Sequence, residues 1–183
     1  MTRLKTSIVG ALALGLLGAA LAAAYWAAPY WTVRELKQAA RDRDTDALLA
    51  HVDQGALRKS MELALGFSLA DRQAEQAQRN PKAASPAAQE QVRSLVGGMP
   101  ELLSSPTSLM SMLLQGHPSR ALDPYGVYVP MLPEAATGDW PVELRYVGHS
   151  IVEVRAKGAT GSAFILRRNG LFDWKWSAIG AAS

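Results

Sequence analysis

A run of apolar residues from Ile8 to Ala28, without a single charged side chain, constrains this chain more than any other feature. A helix rises by ~1.5 Å per residue, so a helix over this run covers roughly the ~30 Å hydrocarbon core of a bilayer. A buried helix of a soluble protein seldom lacks a polar face. The run therefore predicts a single membrane span, residues 1–28, followed by one domain, residues 29–183.

Basic residues indicate how this span is oriented. Arg3 and Lys5 precede the run, and no acidic residue occurs before Glu35. Because flanking basic residues stay in the cytoplasm, the domain is expected in the periplasm of a bacterium, anchored to the inner membrane. Aromatic residues at the other end of the run suit the membrane–water interface: Tyr25, Trp26, Tyr30 and Trp31.

The same run is also compatible with a secretory signal peptide. Ala22, Ala23 and Ala24 form an acceptable small-residue cleavage site, and cleavage near Ala24 would release the domain into the periplasm. The run is longer than the apolar core of a typical signal peptide. That length favours the uncleaved anchor.

Charge and cysteine content exclude several classes of protein. Two of the 19 basic residues precede the apolar run and all 16 acidic residues follow it, so the domain is almost neutral. A nucleic-acid-binding domain needs a dense basic face, and we therefore expect no nucleic-acid partner. The chain has no cysteine, which excludes disulfides, thiolate metal sites and cysteine nucleophiles.

Helical signals dominate the first half of the domain. Pro29 is expected to end or kink the apolar helix, because proline has no amide donor. Thr32 and Glu35 then match a capping box, which predicts a new helix that ends near Asp42 to Asp44. Residue 44 or 45 is expected to cap a second, short helix.

Further helices are predicted downstream. Asp53 is the expected cap of a third helix, whose apolar residues repeat at helical spacing: Leu57, Met61, Ala64 and Leu65. Residues 71–91 are expected to be exposed and mobile. Ser85-Pro86 and Ser105-Pro106 each resemble a helix start, and the second helix should close at Gly116. Its apolar residues predict either core or a surface for a ligand or partner: Leu109, Met110, Met112, Leu113 and Leu114.

The last forty residues change from helical to alternating periodicity. Strands are expected at 142–146, 151–155, 162–168 and 171–179, with a possible edge strand at 126–132. Asn169-Gly170 predicts a two-residue turn, and this turn fixes three pairs: Arg168 with Leu171, Ile165 with Trp174, and Ala163 with Trp176. Phe172, Trp174 and Trp176 would then share the core face. Tyr146 should pair with Val152, and Leu144 with Val154.

These elements predict an α+β fold, in which several helices pack on one face of a C-terminal antiparallel β-meander. Helices followed by a bent sheet are also similar, by analogy alone, to the cone-shaped nuclear-transport-factor-like folds.

No established catalytic or cofactor motif is present. The sequence has no phosphate-binding Gly-Lys loop, no dinucleotide fingerprint, no nucleophile elbow and no zinc-binding helix motif. His51, His117 and His149 lack metal-ligand spacing, so we predict neither a metal site nor a cofactor. His51 and Asp53 could form an acid–base pair, although Asp53 is more simply explained as a helix cap.

Both ends of the domain resemble a bacterial family catalogued as domain of unknown function 2939. At the first end, the resemblance is carried by Tyr30-Trp31, residues 35–42, Asp46, Leu49, Val52-Asp53 and Leu57-Arg58. At the other end, it is carried by residues 164–168, Gly170-Leu171 and Trp174-Lys175. The resemblance implies a single N-terminal span. It implies no activity, cofactor or catalytic residue.

Two functions follow as hypotheses. The first is a membrane-tethered module that binds a protein partner or an apolar ligand through Leu109, Met110, Met112 and Leu113. The second is a small-pocket enzyme of the cone-shaped type, which would use His51 or Asp53.

Overall fold

A computed structural model of the chain describes residues 2–79, 97–116, 118, 138–159 and 162–180, without the side chains of 2–13, 66–77 and 79. In this part of the chain, helices precede strands. The helices are α1 (Thr2–Asp42), α2 (Thr45–Ala50), α3 (Gln54–Arg79), α4 (Met99–Leu103) and α5 (Pro106–Gln115). The strands are β1 (Val142–Tyr146), β2 (Ile151–Ala156), β3 (Ala163–Arg168) and β4 (Trp174–Gly180). The helix predicted after Ser85-Pro86 and the edge strand predicted at 126–132 lie outside the described residues.

The apolar run and the first domain helix form one continuous helix, α1. The helix passes through Pro29, whose side chain is buried. Thr32 does not cap a new helix, because its hydroxyl donates to the carbonyl of Ala28, 3.4 Å away within α1. The predicted capping box is therefore wrong. Val33 and Leu36 are both buried in the core, and this tertiary packing holds helical backbone across a residue that lacks an amide donor.

Other local helix signals are confirmed. The Asp44 carboxylate accepts a hydrogen bond from the Ala47 amide at 3.0 Å and caps α2. The Ser105 hydroxyl caps α5, which ends at Gly116 with φ of +76°. A side chain at Gly116 would clash with the ring of Trp140, 2.7 Å from an added Cβ, so both the backbone angle and the contact require glycine there.

The four strands form an antiparallel meander in the order β1-β2-β3-β4, which confirms the predicted α+β class. Tyr146 pairs with Val152, and Leu144 with Val154, as the sequence predicts. The next hairpin differs: Arg168 pairs with Trp174 instead of Leu171. Residues 169–173 therefore form a five-residue loop, and a bulge lies between Ile165 and Leu166.

One face of the sheet forms the core with the helices. Trp174 and Trp176 are fully buried there, whereas Phe172 lies in the loop and is exposed, so its predicted core position is wrong. The chain between α2 and α3 adds a short parallel bridge to β4. In this bridge the Trp176 amide donates to the His51 carbonyl, and the Asp53 amide donates to the Trp176 carbonyl, each at 2.9 Å.

Candidate functional site

The first part of α1 is exposed, and the rest of the helix packs against the domain. Every described side chain from Leu14 to Ala23 is exposed, and all of them are apolar or glycine. From Ala24 onward the helix is partly covered by the domain, and Ala28 is buried. The exposed leucines retain 52–72% of their accessible surface: Leu14, Leu16, Leu17 and Leu21. A soluble surface seldom carries such a continuous apolar patch.

Among the described residues, no helix is both long enough and apolar enough to qualify as a membrane span. Side chains 8–13 of the predicted span lie outside the description.

The packed part of α1 runs antiparallel to the segment that leads through β1. Polar contacts join the two, and in order along α1 they pair Trp26 with Tyr146, Tyr30 with Val142, Lys37 with Trp140, and Arg41 with Asp139. Since Tyr146 is the last residue of β1, the end of this strand lies beside the point where α1 loses its covering. The β1–β2 loop, residues 147–150, follows directly.

Arg168, the last residue of β3, connects the β3–β4 loop to the same part of α1. Its guanidinium carbon lies 3.5 Å from the centre of the Tyr25 ring and 4.4 Å from that of Trp174, which gives two cation–π contacts. Nε donates to the His149 carbonyl at 3.1 Å, and Nη1 donates to the Leu171 carbonyl at 2.6 Å. Arg168 thus connects α1 with both the β1–β2 loop and the β3–β4 loop, residues 169–173.

Tyr146 is the other side chain that fixes α1 at this end. Its hydroxyl donates to the Trp26 carbonyl, and its ring meets the Trp26 ring edge-on at 5.0 Å. Burial raises the pKa of the Tyr146 hydroxyl above its ordinary value, and the charge of Arg168 opposes part of that rise. The folded state therefore favours the neutral phenol.

This shift predicts an alkaline loss of stability that depends on Tyr146. The contribution of Tyr146 to the free energy of unfolding is complete below the ordinary tyrosine pKa of about 10. It is lost as the pH rises through the higher pKa that Tyr146 has in the folded state. Tyr146→Phe should make the thermal unfolding midpoint of the full chain in detergent less dependent on pH above about 10. Tyr30→Phe, at a more exposed tyrosine, is the control. An unchanged alkaline loss in Tyr146→Phe would contradict the prediction.

The comparisons with known proteins identify a family. The family model described as "Protein of unknown function (DUF2939)" matches residues 19–112. The chain belongs to the DUF2939 family. No curated protein and no solved structure matches the chain. The DUF2939 match includes the point at Ala24 where α1 becomes covered, and the sheet lies beyond it.

The residues predicted as a ligand or partner surface occupy the core. Leu109, Met110, Met112 and Leu113 on α5 are each at most 4% exposed. They pack with buried residues of α1, α2 and α3 in one cluster. On the folded domain these four side chains therefore form no accessible surface. They are core residues, which is the other interpretation that the sequence allowed.

The structure places His51 and Asp53 at a helix corner. Asp53 is exposed, and its carboxylate accepts a hydrogen bond from the Ala56 amide at 3.0 Å, as expected for the cap of α3. The ring of His51 meets a different carboxylate, with Nε2 3.3 Å from Oε2 of Glu35. Sequence reasoning missed this partner, although Glu35 and His51 lie in adjacent helical segments.

No group of three His, Asp or Glu side chains in the described ranges is arranged to hold a metal ion. The sequence also missed the contacts of Arg168. The available signals were the aromatic pair Tyr25-Trp26 at one end of the apolar run and an arginine at a strand end.

Proposed function

We propose that this DUF2939 protein is a single-span protein of the bacterial inner membrane whose periplasmic domain binds a protein partner. One observation carries the proposal: α1 continues without a break from an uncovered apolar segment into the core of the domain. At ~1.5 Å per residue, the uncharged residues 6–23 of the helix measure roughly 27 Å, which is close to the thickness of the hydrocarbon core of a bilayer. Arg3 and Lys5 favour a cytoplasmic N-terminal end.

The continuous helix holds the domain in a defined orientation relative to the proposed anchor. The contacts of Tyr25, Trp26, Lys37 and Arg41 hold α1 against the sheet and the segment that precedes it over more than four helical turns. A flexible linker would let the domain sample many heights and orientations above the membrane. A domain fused to its anchor by a helix is presented in a defined orientation, which suits recognition of a partner at the same membrane surface.

A protein partner has more support than an apolar ligand. The apolar side chains of α5 that were predicted to bind a ligand are buried in the core. Large apolar side chains remain exposed on neighbouring helices instead: Leu63 on α3 and Leu102 on α4. Contact with a protein partner would remove these two side chains from water.

The enzymatic alternative, a small pocket of the cone-shaped type, has less support. It needs His51 or Asp53 to face a cavity between the helices and the sheet. The Asp53 carboxylate is exposed and caps α3, and the His51 ring contacts the carboxylate of Glu35. The alternative of a cleaved signal peptide makes a clear prediction of its own, which is a mature chain that begins after Ala24.

The chain has no cysteine, so single cysteines can be introduced cleanly. We would place Leu63→Cys or Leu102→Cys in the full-length protein and label bacteria, after opening the outer membrane, with a membrane-impermeant maleimide that carries a photo-crosslinker. The labelled protein should stay in the membrane after an alkaline wash, with the mass of the intact chain. Light should then produce one discrete crosslink to another protein, which mass spectrometry identifies. Met61→Cys, buried on the same helix, is the matched control and should not be labelled.

Three outcomes would overturn parts of this proposal. A soluble product that begins after Ala24 would replace the anchor by a signal peptide. Labelling only after the inner membrane is broken would reverse the orientation. The absence of a crosslink from both exposed positions would remove the partner from this helical surface.

A further inference from the structure

We propose that the two loops beside α1 form a second contact with the bilayer, in which Val147, Leu171 and Phe172 enter the headgroup region on the periplasmic side. The inference rests on the proposed single-span anchor and extends it. The domain would then touch the membrane through these residues, called here the loop tips, as well as through α1.

The position of the loop tips follows from the strand pairing. Ile151, at the start of β2, pairs with Arg167, near the end of β3, so the β1–β2 and β3–β4 loops lie at the same end of the sheet. The Arg168 amide also donates to the Ser150 carbonyl at 2.9 Å. At this end the guanidinium of Arg168 stacks on Tyr25, one residue after α1 begins to be covered. Both loops therefore lie at the level where the uncovered helix would enter the bilayer.

The loop tips are apolar and exposed. Leu171 retains 70%, Val147 57% and Phe172 43% of their accessible surface. Outside α1, the described residues include only two other large apolar side chains with comparable exposure, Leu63 and Leu102. Three of the five are thus gathered at one end of the sheet, the end at which the exposed ring of Trp26 contacts Tyr146. Aromatic and aliphatic side chains at the headgroup level are typical of membrane-surface contacts.

The charges next to the loop tips fit an anionic membrane surface. Arg167 and Lys175 lie directly opposite each other on neighbouring strands, on the sheet face away from the core. Like charges in such a pair repel, and among the described residues neither side chain has an ion-pair partner. Asp173 is the one acidic residue of the β3–β4 loop, and its carboxylate accepts a hydrogen bond from the Asn169 side chain. Anionic headgroups would relieve the repulsion between the two cations.

Site-specific quenching tests the inference. We would attach a polarity-sensitive fluorophore to single cysteines in the full-length protein, reconstituted in nanodiscs of phosphatidylethanolamine and phosphatidylglycerol. Phe172→Cys reports on the loop tips, Leu17→Cys on the anchor and Leu63→Cys on the domain surface. We expect iodide in the water to quench the label at residue 63 at least threefold more strongly than at residue 172. A headgroup-level nitroxide lipid should quench residue 172 and not residue 63.

The three positions separate the two proposals. A shielded label at residue 17, together with equal iodide quenching at residues 172 and 63, would overturn the loop-tip contact and leave the anchor standing. An accessible label at residue 17 would overturn the anchor, and the loop-tip contact with it.

A second variant tests the contribution of charge. Arg167→Gln with Lys175→Gln should abolish the dependence of quenching at residue 172 on the phosphatidylglycerol content, while the label at residue 17 remains shielded. Dependence that persists unchanged in this double variant would contradict the proposed attraction to anionic headgroups.

Discussion

Replacement of Trp176 by alanine is expected to lower the free energy of unfolding by about 3–5 kcal/mol, the usual range for truncating a buried aromatic residue. Trp176 is fully buried, meets the ring of Phe164 edge-on at 5.1 Å and donates from Nε1 to the Ala178 carbonyl at 3.0 Å. The variant would leave a cavity in the core beside the ring of Phe164. Urea unfolding of the full-length protein in mild detergent, followed by circular dichroism, measures the effect.

Phe172→Ala is the matched control for Trp176→Ala. Both residues were predicted to share one core face, but Phe172 is exposed in the β3–β4 loop. Its truncation should change the free energy of unfolding in detergent by no more than about 0.5 kcal/mol. Equal destabilisation by the two variants would contradict the observed register and support the two-residue turn.

Leu109→Ala is expected to cost about 2–5 kcal/mol of stability, because the side chain is fully buried between α5 and the neighbouring helices. The same urea titration in detergent measures the loss. Leu102→Ala, an exposed leucine on the adjacent helix α4, is the control and should be within about 0.5 kcal/mol of the unaltered protein.

The Leu109 variant distinguishes core from binding surface. If α5 presented Leu109 to a ligand or partner, its truncation would leave the unbound protein about as stable as before. A stability loss similar to that of Leu102→Ala would therefore restore the surface interpretation.

Three of the helix caps were predicted correctly from their local sequence. The caps at Asp44, Asp53 and Ser105 follow from side-chain oxygens that bind amides two or three residues ahead, and sequence alone encodes that geometry. The alternation of strand residues likewise placed Trp174 and Trp176 on the core face, since successive side chains of a strand point to opposite faces.

The errors arose where contacts between distant residues prevail over local preference. Asn169-Gly170 favours a two-residue turn, yet the loop closes differently: the Asn169 amide donates to the Asp173 carbonyl at 2.9 Å. Arg168 also binds the Leu171 carbonyl within this loop. Pro29 was expected to end or kink the apolar helix; α1 does not end there, because packing of the residues after it keeps the backbone helical.

The candidate site was the least predictable part. Its defining contacts join α1 to strands more than one hundred residues away, such as Tyr146 to Trp26. No periodicity or spacing encodes such a contact. The apolar run and its aromatic end were visible in the sequence, but the loops that meet them were not.

Because α1 continues through Pro29 as one helix, its two halves change orientation together. At ~1.5 Å per residue its 41 residues extend roughly 60 Å, and the domain is attached along the second half. In a bilayer, a helix tilts further when the hydrocarbon layer becomes thinner. Because no hinge separates the two halves, such a tilt would be passed on to the sheet, pressing its loops into the lipid or lifting them away. For the proposed membrane anchor, a change in bilayer thickness would therefore change the tilt of the whole domain.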